Sequence, residues 1–166
     1  MLNKQVFNFH QKLKTMANDK EIISDLKGLV NILNDGKEGY QSAADATENA
    51  SLKAIFLNNA AQRLIYEQEL KAHLLKHGGN SDNESGGVLG VLHRTWINIK
   101  EALSSKEEVA VLSAIKTGEQ AALDKFDECI KDQERHADHL ELLIRQRSGI
   151  LEALKEIEVL HQQYAN

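Results

Sequence analysis

The complete absence of proline is the feature that most limits the fold of this chain. None of its 166 residues is a proline, and proline inside a helix removes a hydrogen bond and kinks or breaks the helix. Long uninterrupted helices are therefore favoured. Only 5% of the residues are aromatic, and no run of alternating β-branched residues lies between turn signals. We predict an all-α fold.

Apolar residues that recur every three or four positions predict two long helices in the first half of the chain. The first helix runs from about residue 20 to 47, and the second ends at the two glycines that follow His77. Residues with capping oxygen atoms precede both helices: Asn18 or Asp19 the first, and Asn49 or Ser51 the second.

The second half of the chain predicts two more long helices. One spans residues 104–131 and begins with two overlapping capping boxes, in which Ser104 and Ser105 each stand three positions before a glutamate. The other begins near Asp132 and continues almost to the last residue.

A shorter predicted helix, within residues 86–104, links the second long helix to the third. This link is long enough to run back along the molecule, so the second and third helices should be parallel, whereas short turns make the other sequential pairs antiparallel. Such a single crossover is typical of ferritin-like folds. We predict a ferritin-like four-helix bundle over residues 19–166, with residues 1–18 as an N-terminal amphipathic extension.

The extension carries apolar residues on one face: Leu2, Val6, Phe9, Leu13 and Met16. Its other face carries Lys4, Lys12 and Lys14. A basic amphipathic helix can lie on a membrane surface, but we favour packing on the domain or on a second copy of the chain.

Charge and cysteine content exclude several classes of protein. A net charge of −5 without a concentrated basic face argues against nucleic acid as a partner. No apolar run is long enough to span a bilayer, and the first residues lack the apolar core of a signal peptide. The single cysteine, Cys129, cannot form an internal disulfide. We expect a cytoplasmic protein in which Cys129 is a small buried hydrophobic residue.

Several segments together resemble one known family. They are NDGKEGYQSAAD in the first helix, the HGG that ends the second, GVLHRTWINIKEAL in the link, and TGEQAALDKF in the third. The chain resembles a family of small bacterial ferritin-like proteins classed as a domain of unknown function. The resemblance implies a ferritin-like bundle and no established activity.

One carboxylate interrupts the apolar stripe of the third helix. Glu119 lies among Leu112, Ile115, Ala122, Phe126 and Ile130, and an inward carboxylate needs a partner. At about 100° per residue, polar side chains of all four helices point toward the same level. They form a predicted buried polar layer: Lys37, Arg63, Glu67, Glu119 and Arg147.

This layer does not fit the di-metal site of ferritin-like proteins. That site takes a glutamate from each of two helices and a Glu-x-x-His pair from each of the other two, whereas this chain has only Glu158 and His161 at that spacing, near its end. Cationic groups about 5 Å from a divalent ion would cost on the order of several kcal/mol. We favour a buried ion network, with a degraded metal site as the alternative.

Histidines gather near one end of the predicted bundle. The crossover topology brings the ends of the second and third helices beside the start of the fourth, about 20 Å from the middle. The candidate ligands there are His73, His77, Asp132, His136 and His139. We hypothesise one zinc, copper or nickel ion among them; the alternative is solvent-exposed histidines near helix ends.

Two classes of function follow. The first is a non-catalytic bundle without a cofactor, which acts through self-association or contacts with a protein partner. The second is a metal-binding protein related to ferritin-like di-metal carboxylate proteins.

Overall fold

The computed structural model describes residues 2–80 and 107–166, with side chains from Lys4 onward. These residues form four α-helices and no strand: α1 (Leu2–Ala46), α2 (Ala50–Lys76), α3 (Glu108–Lys131) and α4 (Leu140–Ala165). The predicted all-α class is confirmed for this part of the chain. The predicted link helix and both serine capping boxes lie outside the described residues.

Helix α1 is continuous through Asn18 and Asp19, so the predicted helix start at these residues is wrong. A capping residue begins a helix only where the backbone before it leaves the helical conformation. No glycine or proline lies between residues 2 and 27 to cause this. Residues 4–18 are all exposed, and they precede Asp19, which contacts His77 at the end of α2; we call them the N-terminal overhang.

Helix α2 begins and ends where the sequence predicts. The Asn49 side chain accepts hydrogen bonds from the backbone N–H groups of Ser51 at 3.0 Å and Leu52 at 3.1 Å. At the other end Gly78 has a φ of +79°, which glycine adopts without strain. The N–H of Gly79 then returns to the Leu74 carbonyl at 2.9 Å, which closes the helix.

Helix α4 begins at Leu140, so the predicted start near Asp132 is wrong. Residues 133–139 form turns, and the Asp132 side chain accepts the backbone N–H of Arg135 at 3.2 Å. This local bond offers the backbone an alternative to a helix. The turn brings His136 and His139 into the interior, where they are 0% and 2% exposed.

Contacts between helices define the topology. Helix α1 packs on α2 and α3, and α3 packs on α4. His77, just after α2, is hydrogen-bonded to Asp138, in the turn between α3 and α4. The C-terminal ends of α2 and α3 are therefore together, and these two helices run parallel as predicted.

The apolar core has two parts. One surrounds Leu29, Leu33 and Phe126, and the other surrounds Tyr40 and Phe56. Between them lie the polar residues at the middle of the helices, so a polar layer divides the core. Within the described ranges, no helix combines the length and the apolar character that crossing a membrane requires.

Candidate functional site

The middle of the molecule contains a buried arginine–glutamate pair. Arg63 of α2 and Glu119 of α3 are 1% and 4% exposed. The Nη2 atom of Arg63 lies 2.7 Å and 2.6 Å from the two carboxylate oxygens of Glu119. Its Nη1 donates to the Gln62 side chain at 2.7 Å. Each charge has a partner, as burial requires.

Two tyrosine rings cover the Arg63 guanidinium. Its Cζ atom lies 5.7 Å from the ring centroid of Tyr40 and 5.9 Å from that of Tyr66, within the range of a cation–π interaction. Burial, and then the negative charge of Glu119, raise the pKa of Tyr40 well above its usual value. Tyr40 is therefore neutral at physiological pH.

Two lysines balance Glu67. Lys37 of α1 lies 3.1 Å from one of its oxygens, and Lys71, one turn along α2, lies 2.6 Å from the other. Both lysines are partly exposed, while Glu67 is buried. The structure thus places Lys37 at the edge of the layer and adds Lys71, which the sequence analysis did not include.

Arg147 does not belong to this layer, so its predicted position is wrong. It is one-third exposed and forms an ion pair with Asp127 on the surface. The inward position on α4 belongs to Gln146, which is fully buried and donates to the Tyr66 carbonyl at 3.2 Å and to Glu69 at 2.8 Å. The error is one residue, or about 100° of helix rotation.

A second polar cluster, with His136 and His139 buried in it, lies at the end where α2 and α3 terminate. It contains the histidine cluster, formed by His73, His77, His136 and His139, and two carboxylates, Asp25 of α1 and Asp138 of the turn. The ring centroid of His139 lies 5.5 Å from that of His73, 5.7 Å from that of His77 and 4.8 Å from that of His136. His139 is thus the centre of the cluster.

A chain of short contacts runs through this cluster from one carboxylate to the other. His136 Nε2 lies 3.1 Å from Asp25 Oδ2, and His136 Nδ1 lies 2.6 Å from His139 Nε2. His139 Nδ1 lies 2.6 Å from Asp138 Oδ1, but it is buried and makes no hydrogen bond. The other oxygen of Asp138 accepts from His77 Nε2 at 2.8 Å.

The rings of His136 and His139 carry fewer N–H protons than their contacts require. Two neutral imidazoles carry one N–H each, whereas three contacts join them to each other and to the two carboxylates. With both rings neutral there are two arrangements: His136 Nδ1–H donates to His139 and leaves His136 Nε2 bare toward Asp25, or His136 Nε2–H donates to Asp25 and His139 Nε2–H donates to His136. The geometry favours the second arrangement, because the His136–Asp25 contact is aligned as a hydrogen bond and the His139–Asp138 contact is not. His139 Nδ1 then presents a bare lone pair to a carboxylate oxygen.

His139 is not protonated at neutral pH, so it places no positive charge between its Nδ1 atom and Asp138. Burial lowers the pKa of His139 to about 4, against the opposing effect of Asp138. Asp138 is ionised: burial tends to raise its pKa, but the hydrogen bond from His77 and the interactions with the His139 and His77 rings outweigh burial and lower it. A cation between the two atoms would satisfy both.

Two groups of potential metal ligands lie in the cluster, and the structure shows no other group of three or more in the part of the chain that it describes. We call His73, Asp138 and His139 the outer site, and Asp25, Cys129 and His136 the inner site. In each site the ligand atoms lie within 4.8 Å of one another.

The structure replaces the acidic residue of the predicted ligand set. Asp132 is 41% exposed and pairs with Arg135, so it does not point into the histidine cluster. Asp25 and Asp138 occupy the position that we expected for it. The sequence offered one signal for Asp25, which lies beside Leu26 in the apolar stripe of α1, but the spacing could not show that it meets His136.

The inner site includes the only cysteine of the chain. Burial, and then the charge of Asp25, raise the pKa of Cys129 to about 12, so its thiol is neutral and a poor nucleophile in the absence of a metal. The cysteine is buried as expected, but it packs beside a carboxylate and an imidazole.

In the part of the chain that the structure describes, all-α packing holds one polar layer of paired charges and one histidine cluster with fewer protons than contacts. Residues 21–132 match the family described as Domain of unknown function (DUF2383), and the chain belongs to this family. The match includes Arg63, Glu119, Asp25 and Cys129 and ends before His136. No curated protein and no solved structure is significantly similar to the chain.

Proposed function

We propose that this protein binds a divalent transition-metal ion at the outer site. The observation that carries the proposal is the bare Nδ1 of His139, which lies 2.6 Å from Asp138 Oδ1 without a hydrogen bond. A buried imidazole lone pair and a carboxylate oxygen at this distance repel each other, and a proton or another cation between them removes the repulsion.

A second imidazole supports this choice. The Nδ1 atom of His73 is also buried and makes no hydrogen bond. A buried polar atom without a partner costs about 1–3 kcal/mol. A cation bound by His73, Asp138 and His139 would satisfy all three side chains.

The ligands define the class of ion. Two imidazoles and one carboxylate suit zinc and its neighbours in the first transition series rather than calcium or magnesium. Bonds of about 2.0–2.2 Å place tetrahedral ligand atoms about 3.3–3.5 Å apart. On binding, the 2.6 Å contact between His139 and Asp138 must therefore widen by about 0.8 Å, and a pair of ligand atoms at the 4.8 Å limit must approach by about 1.3 Å. His77 holds the second oxygen of Asp138 at 2.8 Å and so orients the carboxylate.

Isothermal titration of untagged protein with Zn²⁺ at neutral pH tests this proposal. We expect micromolar or tighter binding, weakened at least tenfold by His73→Ala combined with Asp138→Asn. His161→Ala, at the far end of α4, is the matched control and should bind like the wild type. Binding that the double variant leaves unchanged would contradict the outer site.

The N-terminal overhang supports a second, non-catalytic function, which is self-association. Five large apolar side chains of this segment are 49–62% exposed: Val6, Phe7, Phe9, Leu13 and Met16. The overhang is also basic, with Lys4, Lys12 and Lys14, on a chain whose net charge is −5. A second copy therefore offers a complementary acidic surface, and we propose that it covers the overhang.

Light scattering coupled to size-exclusion chromatography tests self-association. We expect a dimer or larger assembly that Phe9→Lys combined with Leu13→Lys converts to a monomer. Val159→Lys is the control, because Val159 is 54% exposed on α4. A wild-type monomer at high micromolar concentration would rule this function out.

The broader proposal is a cytoplasmic protein with the ferritin-like four-helix bundle that the sequence resemblance implies. The parallel arrangement of α2 and α3 supports the bundle, since a plain up-and-down order would make them antiparallel. A single buried cysteine fits a reducing compartment.

A further inference from the structure

The inner site combines three different ligand atoms from three segments of the chain. Asp25 is contributed by α1, Cys129 by the last turn of α3 and His136 by the turn that follows. Cys129 and His136 are 3% and 0% exposed, and His136 Nε2 is 3.1 Å from Asp25 Oδ2. Thiolate, imidazole and carboxylate are all ligands of zinc and of related ions.

The charges around the inner site favour a cation despite the presence of Arg135 and of Lys125, which pairs with Glu128 at 2.9 Å. This arginine lies 3.2 Å from Asp25, but it also pairs with Glu21 at 2.8 Å and with Asp132 at 3.1 Å. Three carboxylates therefore surround one guanidinium. A metal ion deprotonates a thiol that it coordinates, and the proton of Cys129 would leave to solvent.

The hydrogen bond between His136 and His139 connects the inner and outer sites. With a cation on His139 Nδ1, the His139 Nε2–H donates to His136 and the His136 Nε2–H donates to Asp25. With a cation on His136 Nε2, the protons move to the opposite nitrogens, so His136 Nδ1–H donates to His139 and His139 Nδ1–H faces Asp138. In either case a single cation, at His139 Nδ1 or at His136 Nε2, removes the contact between a bare ring nitrogen and a carboxylate oxygen.

We propose that Asp25, Cys129 and His136 form an alternative thiolate-containing metal site, and that a cation there and a cation at the outer site exclude each other through the His136–His139 hydrogen bond. This inference rests on the proposed function for the class of ion. The inner site shares none of the three ligands of the outer site, so an experiment can contradict one site without contradicting the other.

Titration with Co²⁺, followed by absorbance, tests this proposal, because a thiolate bound to Co²⁺ gives a near-ultraviolet charge-transfer band. Cys129 is the only cysteine, so the band reports on the inner site alone. We expect wild-type protein to bind one Co²⁺ in total. The outer-site variant, His73→Ala with Asp138→Asn, should bind one Co²⁺ more weakly and with a strong thiolate band. Addition of Cys129→Ala to that variant should abolish both the band and the binding.

The outcomes separate the two sites. Residual binding without the band, or no residual binding, in a folded outer-site variant would overturn the inner site and leave the outer site standing. Two Co²⁺ ions bound together in the wild type would overturn the mutual exclusion. Wild-type affinity and a strong band in the outer-site variant would support the inner site and overturn the outer one. Circular dichroism of each variant verifies that the helices remain intact.

Discussion

The central polar layer and the histidine cluster both contain buried polar residues, yet they differ in how their charged groups are paired. In the centre, Arg63 and Glu119 neutralise each other at 2.6–2.7 Å. In the histidine cluster, His139 faces the Asp138 carboxylate with a nitrogen that has no hydrogen bond. In the centre the atoms without a hydrogen bond are the Tyr40 hydroxyl and the Gln146 Oε1, which are uncharged, whereas in the cluster a nitrogen without a hydrogen bond faces a carboxylate. Charge balance, more than the presence of buried polar residues, distinguishes a structural layer from a candidate binding site.

Removal of one partner from the centre should have the largest effect. Glu119→Ala leaves the Arg63 guanidinium buried without its counter-charge, so we expect the free energy of unfolding to fall by about 3–5 kcal/mol. Urea denaturation monitored by circular dichroism measures this change. A wild-type midpoint in the variant would show that the pair does not stabilise the fold.

A matched double variant shows whether the uncompensated charge is the cause. Arg63→Met combined with Glu119→Leu removes both charges and retains apolar volume, and such replacements are often neutral or stabilising. We expect this protein to be more stable than Glu119→Ala alone. If it is less stable, the packing of Arg63 between Tyr40 and Tyr66 matters more than its charge.

Zinc should stabilise the protein through the histidine cluster and leave the centre unaffected. An ion that binds only the folded state at 100 times its Kd raises the free energy of unfolding by about 2.7 kcal/mol. We expect this increment in the wild type, and its full size again in the Arg63→Met, Glu119→Leu protein. Thermal melts with zinc and with chelator measure it. An increment that depends on the central variant would show that the two regions are coupled.

Two glycines near the central layer should respond in opposite directions to substitution by alanine. A Cβ at Gly149 would lie 2.1 Å from the Tyr66 hydroxyl, whereas a Cβ at Gly36 would meet the Arg63 side chain at an ordinary 3.7 Å. We expect Gly149→Ala to destabilise the protein by about 1–3 kcal/mol. Gly36→Ala should stabilise it by up to about 1 kcal/mol, because alanine favours a helix. Equal unfolding midpoints would contradict the close packing of α4 on α2.

The smallest expected effect is the response of the centre to alkaline pH. Because the pKa of Tyr40 is raised in the folded protein, the Tyr40 hydroxyl loses its proton just above pH 10 only in the unfolded chain. Stability that is present below pH 10 should therefore decline as the pH rises. Tyr40→Phe should decline less steeply than the wild type in urea titrations between pH 9 and 11. Tyr164→Phe, with its ring at the surface, is the control, and an equally shallow slope in that variant would argue against burial as the cause.

Local patterns in the sequence were sufficient for the secondary structure of α2. The Asn49 cap and the glycine stop depend on neighbouring residues only, and both are confirmed. The parallel direction of α2 and α3 also followed from the sequence, since the length of the connection between them determines it. Spacing alone indicated an inward Glu119, and the structure buries it beside Arg63.

Tertiary structure decided the features that depend on contacts between distant segments. The predicted rotation of α4 was in error by one residue: Gln146, and not Arg147, occupies the inward position. The packing of α4 against Tyr66 fixed the rotation of this helix. A turn in place of a helix at residues 133–139 directed Asp132 to the surface and placed Asp138 beside His139. The sequence by itself determined that four long helices form, their order and a set of histidines near one end, while the starts of α1 and α4 differ from the prediction. Which carboxylates complete that set was decided by tertiary packing, because a side chain's partner across helices depends on rotation and turn geometry that no local spacing specifies.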